Sequence, residues 1–131
     1  MNTILQPEGW LAPRGYSNGI AATGKQVFIG GQIGWNAQCQ FETDDLVEQV
    51  KIALQNCVEV IRCANGGPEH FVRMTWYLKD KKEYVARLRE IGAVYREVIG
   101  KNFPAMSAVQ VADLVEDRAK VEIEVTAVIP E

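Results

Sequence analysis

The chain has 131 residues, 17 of them acidic and 14 basic, for a formal charge of −3, and 47% are hydrophobic. That size and apolar content fit one domain over residues 1–131 with a single core, while the negative balance gives no general attraction to phosphate backbones and argues against a bulk nucleic-acid binder. No stretch approaches the ~20 apolar residues of a membrane span, and Met1-Asn2-Thr3-Ile4-Leu5-Gln6-Pro7 has neither the basic end nor the apolar block of a signal peptide, so a cytoplasmic location with no membrane partner is expected.

Tyr16–Ala22 and Gln26–Ile33 read as two strands joined by a Thr23-Gly24-Lys25 turn, with Gly24 supplying the positive φ of a tight hairpin. Asp44–Ala64 reads as a helix: Leu46, Val50, Leu54, Cys57 and Ile61 recur at three- and four-residue intervals. Asp44, Asp45 and Glu48 put negative charge at the positive end of its dipole, and Asn65-Gly66-Gly67-Pro68 stops it. His70–Leu78, rich in Val, Thr, Trp and Tyr, is the next strand. A second helix over Lys81–Ile99 opens on a capping box, Asp80 with Glu83, and turns Tyr84, Leu88, Ile91, Tyr95 and Val98 inward.

Ser107–Leu114 and Lys120–Ile129 are the closing strands. In the last, Val121, Ile123, Val125 and Ala127 alternate with Glu122, Glu124, Thr126 and Val128. The element order is read as βββαβαββ, with the spans above accounting for two of the three opening strands, an α+β fold with one mixed sheet packed against two helices. Two helices cover one face of such a sheet. The other face would carry Glu122, Glu124 and Thr126, together with either Ala108, Gln110 and Ala112 or Ser107, Val109 and Val111. That mixture is less charged than a freely solvated face, which favours an oligomer.

Cys39, Cys57 and Cys63 are odd in number and form no CxxC pair, so buried reduced thiols are expected and neither a disulfide framework nor a zinc site is suggested. His70, the sole histidine, lacks partners at triad or metal-ligand spacing and is read as a surface residue. Trp76-Tyr77 reads as core and interface packing. Gly30-Gly31-Gln32-Ile33 lacks the GxxxxGK[ST] spacing of a phosphate loop.

Five segments, Gly15-Tyr16-Ser17-Asn18-Gly19, Gly30-Gly31-Gln32-Ile33, Gln49–Asn56, Phe103-Pro104-Ala105-Met106-Ser107-Ala108-Val109-Gln110-Val111 and Val121-Glu122-Ile123-Glu124, together resemble the reactive-intermediate deaminase family, also called YjgF or RidA-like, over nearly the full length. The resemblance implies a chorismate-mutase-like fold, a homotrimer with three ligand clefts at the subunit boundaries, a small-molecule metabolite as partner, and chemistry that needs no cofactor and no metal.

Glu122 is the catalytic candidate. On a strand among apolar neighbours, partial desolvation would suit a general base or acid, although an alternating surface strand also places a glutamate there. The family is similar in using this glutamate to hold or activate the water that attacks an imine carbon. Tyr16 resembles the tyrosine that lines the family's cleft; an edge-strand aromatic facing another subunit is the other reading. Gly31 would offer a main-chain contact, or mark a bulge. Trp35 would be a cleft wall or lid, or a subunit anchor. Ala108 belongs with Met106 to the substrate-binding set.

At Met106 the chain departs from the family, where an arginine grips the substrate carboxylate. A guanidinium offers a charged bidentate fork and a thioether only weak contact. The exchange typically costs ~1.5–3 kcal/mol, roughly tenfold to a hundredfold in affinity. Arg14, two residues before Tyr16, is the candidate replacement, with a solvent-exposed loop arginine as the alternative. The resemblance thus implies an enamine or imine hydrolase, with a non-catalytic metabolite-binding trimer as the alternative. A ribonuclease or translation inhibitor suits this acidic chain poorly.

Overall fold

Strand β6, Val121–Ile129, sits inside the sheet, and its alternation decides which side becomes the core. The structure is a computed structural model describing residues 2–131. In chain order its elements are β1 (Thr3–Leu5), β2 (Gly19–Ala21), β3 (Lys25–Ile33), α1 (Leu46–Arg62), a 3-10 turn at Pro68–His70, β4 (Phe71–Leu78), α2 (Lys81–Ala86), α3 (Leu88–Val98), β5 (Ala105–Gln110) and β6. The main sheet runs β3-β6-β4-β5, antiparallel except for the parallel β4–β5 pair, and β1 and β2 form a separate antiparallel ribbon. The α+β reading and the three-strand opening hold.

Val121, Ile123, Val125 and Ala127 lie at most 3% exposed. The apolar stripe of α1 covers them: Val50, Leu54, Cys57 and Ile61 are fully buried in the same cluster. Removing that much apolar area from water is the dominant favourable term in the fold. On β4, Met74, Trp76 and Leu78 join this core. Register then assigns the faces of β5. Met106 pairs with Met74 and Ala108 with Trp76, on the helix side, whereas Ser107 pairs with Thr75 and Val109 with Tyr77, on the open side. Of the two sets left open by the pattern, Ser107 and Val109 therefore accompany Glu122, Glu124 and Thr126.

Several expectations are corrected. The Thr23-Gly24-Lys25 segment does not close a hairpin, because β2 pairs with β1 and β3 with β6. Gly24 does take a positive φ of 151°, but its second reason for being glycine is tertiary: a Cβ there would collide with the Ile129 carbonyl. The second helix breaks at Arg87, whose φ of −115° and ψ of 22° leave the helical region. Its guanidinium spans to Asp45, the N-cap of α1, and to Glu90. Strand β5 starts two residues earlier and stops four earlier than expected. Only Cys57 is a buried thiol, its pKa pushed up to about 12 by burial; Cys39 and Cys63 are exposed. His70 is not free at the surface but accepts a hydrogen bond from Gly67 N–H at Nδ1, 3.1 Å, closing the turn before β4.

The Asp45–Arg87 pair makes a prediction about acid stability. The hydrogen bond from Arg87, chiefly, holds the Asp45 carboxyl below its ordinary value. A lowered folded-state pKa contributes stability above the ordinary aspartate range and loses it as pH falls through the lowered value. Asp45→Asn should therefore cost stability at neutral pH and flatten the acid side of a denaturation-midpoint-versus-pH curve. Because the pair is partly exposed, the change should be about 1 kcal/mol or less.

Candidate functional site

Ser17 brings the N-terminal segment to the outer edge of β5. It is 4% exposed, its N–H donates to the Pro104 carbonyl at 3.0 Å, its hydroxyl donates to the Phe103 carbonyl, and it bridges to Ala105 in parallel register. These bonds seat Arg14, Gly15 and Tyr16 beside Met106. Between this segment, β5 and the α2–α3 pair lies a cleft of about 490 Å³, within the usual size of a small-molecule site. Of the seven candidate positions, Arg14, Tyr16, Met106 and Ala108 all line it.

The floor of the cleft is aromatic and apolar. Trp76 is 1% exposed, Ile91 3% and Tyr95 6%, with Phe103 stacked on Tyr95 at 5.8 Å between ring centroids. Tyr84 meets Trp76 edge-on at 6.1 Å. Burial raises the hydroxyl pKa of both Tyr84 and Tyr95, and the Tyr95 hydroxyl donates to the Asn102 carbonyl at 2.6 Å. Trp76 Nε1 is buried and has no acceptor among the described residues. The mouth carries the exposed side chains of Arg14 and Arg96. Neither guanidinium has an ion-pair partner among the described residues.

Glu122 and Gly31 lie elsewhere. Glu122 pairs in register with Tyr77 on the open face, half-buried, while the Met106 side of the sheet faces the helices. Gly30 and Gly31 form a bulge, two residues of β3 opposite Glu124 alone, between the Ile29–Val125 and Gln32–Ile123 pairs. A Cβ on Gly31 would overlap the Glu122 carboxylate, so any larger residue there would displace that side chain. The bulge reading of this glycine pair is thus correct as geometry, and it sets main chain directly against the candidate base. Beside them Tyr77 donates to Glu124 at 2.6 Å, a bond that is the first cause of its raised hydroxyl pKa.

Trp35 belongs to neither group. It stacks obliquely on Phe41, 5.7 Å between centroids, and Phe41 in turn lies under the Arg118 guanidinium. Its carbonyl accepts from Asn56 of α1 at 3.0 Å. Within one chain it is a wall of the loop that precedes α1, away from the cleft.

Gln49, fully buried, carries a structural duty that the helical pattern conceals. Its amide donates to the Thr43 and Arg118 carbonyls at 3.1 and 2.9 Å and accepts from Lys120 N–H at 2.8 Å. It thereby fixes the start of β6 two residues before Glu122. The cleft residues missed from sequence are mainly on α3 and β4. Leu88, expected to turn inward, is instead 47% exposed, and with Gly92 and Arg96, spaced by four, it forms one helical row along the cleft. Trp76, read as packing, is both core and cleft floor. Among the described residues no group of three or more His, Cys, Asp or Glu side chains is placed to hold a metal ion, and no helix is long and apolar enough to cross a membrane.

A four-stranded sheet with helices on one side and an aromatic cleft at its parallel edge places the chain among the small α+β proteins. The chain belongs to the endoribonuclease L-PSP family, that of the RidA/YjgF proteins, whose model matches residues 10–129. It is 34% identical over 117 residues to the RutC family protein UK114 of Drosophila melanogaster, covering 86% of this chain and 78% of that one. It is 30% identical over 105 residues to human 2-iminobutanoate/2-iminopropanoate deaminase, covering 79% and 73%. A Rid-family protein of Yersinia pestis, YyfB, superimposes with a TM-score of 0.86 at 29% identity over 98% of both chains.

Proposed function

We propose that the protein hydrolyses small imines or enamines in a cleft completed by a second copy of the chain. The observation that carries this is the division of the site: the binding cleft with Tyr16 and Met106 opens on one side of the sheet, and the Glu122–Gly31 pair stands on the other. A second subunit docked by its open face against the cleft edge of the first would unite them. Phe28, 72% exposed, and Val109, 44% exposed, give that face apolar contact area. The family likeness and the deaminase among its relatives supply the reaction class.

In the assembled cleft Glu122 takes a proton from water as the water oxygen bonds to the carbon of the protonated imine, giving a neutral carbinolamine. Glu122 then returns that proton to the nitrogen, the C–N bond breaks with its electron pair leaving on nitrogen, and the carboxylate takes the hydroxyl proton as the C=O bond forms, leaving a carbonyl compound and ammonia. A carboxylate serves as base and then acid without a metal or cofactor. The acidic net charge supports this reading over a ribonuclease. The missing arginine at Met106 favours one alternative, a metabolite-binding member without turnover. Ammonia release from a panel of imines, with Glu122→Gln as control, decides between the two. The assembly is expected to be a homotrimer; light scattering that returns a monomer at micromolar concentration removes the shared site.

A further inference from the structure

We infer that the cleft is specific for a carboxylate carrying an aryl or bulky apolar group, bound with that group on the floor and the carboxylate at the mouth between Arg14 and Arg96. The inference deepens the proposed function and rests on it only for the chemistry, since binding can be measured without turnover.

Polarity across the cleft is the first argument. At the inner end the side chains are Trp76, Tyr95, Ile91 and Met106, and none can neutralise a carboxylate. A small acid driven inward would be desolvated without a counter-charge, which is unfavourable. An aryl ring or branched alkyl group there would instead meet aromatic faces and the polarizable Met106 sulfur.

The second argument is the position of Arg96. Its guanidinium folds back along α3 toward Gly92: a Cβ at Gly92 would meet Arg96 Nη1 at 3.8 Å, and both residues line the cleft. The neighbouring acids are already engaged, Glu97 with Lys51 at 2.7 Å and Glu90 with Arg87 at 2.8 Å. Arg14 reaches the same mouth from the loop held by Ser17. Among the described residues of one chain these two guanidinium groups have no ion-pair partner, and at the entrance to an apolar pocket they suit an anionic head on an apolar body.

The test is calorimetric titration of the assembled protein with 3-phenylpropionate, propionate and 3-phenylpropionamide. The aryl acid should bind at least about tenfold more tightly than either of the others, the scale set by losing one charge-assisted contact or one ring's burial. Arg96→Gln should weaken the aryl acid by about tenfold and leave the amide unchanged, and Arg14→Gln should do the same. Both side chains are exposed, so the folded protein survives either change. The three probes are not imines and are read by binding alone, so a failure of the catalytic reading, tested by ammonia release, stays separate from a failure here. Equal affinity for propionate and 3-phenylpropionate, or an Arg96→Gln variant that binds the aryl acid normally, overturns the inference.

Discussion

Glu122→Gln is expected to lower imine hydrolysis by about 10²- to 10⁴-fold, the range over which a positioned acid–base group contributes. Glutamine keeps the length and hydrogen-bonding reach of the side chain but cannot take a proton from water. Gly31 accommodates either residue equally, since the group that fills its missing Cβ is the carboxyl end in one case and the amide in the other. The substitution should therefore leave the fold and the assembly intact, and a thermal midpoint close to that of the parent checks this. If ammonia release persists at the parental rate in a folded variant, water is activated by another group and the role given to Glu122 is wrong.

Met106→Arg is the converse experiment, an expected gain. The position is half-buried, on the helix side of β5 in register with Met74, and opens on the cleft. An arginine there can direct its head group into the cleft, where a carboxylate fork is worth roughly tenfold or more in kcat/KM for a small acidic imine such as 2-aminoacrylate-derived substrate. The same change puts a cation on the apolar floor and should weaken an aryl acid. Specificity is thus expected to exchange rather than merely broaden. Combining it with Glu122→Gln should abolish the gain in turnover while retaining the gain in binding, because orientation without a proton acceptor supplies little chemistry. A folded Met106→Arg protein that binds small acids no better than the parent shows that the cleft has diverged beyond this one residue.

What could be read from the chain was what neighbours in sequence decide. The stripe of α1, Asp80 as an N-cap and the alternation of β6 all follow from local spacing and are present in the structure, whereas the return bond of the expected box is not, Glu83 lying 3.6 Å from Lys120 instead. The capping bonds are explicit, with Asp80 accepting from Lys82 N–H at 2.9 Å and Glu83 N–H at 3.3 Å. What failed has a tertiary cause. Nothing local at Arg87 breaks a helix; its ties to Asp45, forty-two positions away, accompany the break. Pairing of β3 with β6 instead of β2 is likewise a long-range choice, and the turn around Gly24 signalled only a bend.

The candidate site shows the same division. Tyr16, Met106 and Ala108 were identified by motif and do share a cleft with Arg14. That Glu122 stands across the sheet from them required strand register, which no spacing within one segment carries. Arg96 was passed over because a charged residue on a helix is ordinarily solvated, and only the fold shows its guanidinium lying back over Gly92 beside the cleft.

The order β3-β6-β4-β5 also bears on how the molecule is made. Of the four strands of this sheet, the last to leave the ribosome is the one that separates β3 from β4, so until residue 129 has emerged the growing chain holds only the β4–β5 contact. Helix α1 meanwhile has no complete apolar surface to rest on. Folding of this sheet must then wait for β6 and be a nearly all-or-none event dominated by contacts distant along the chain, and a nascent polypeptide halted before Val121 should be as sensitive to protease as an unfolded one.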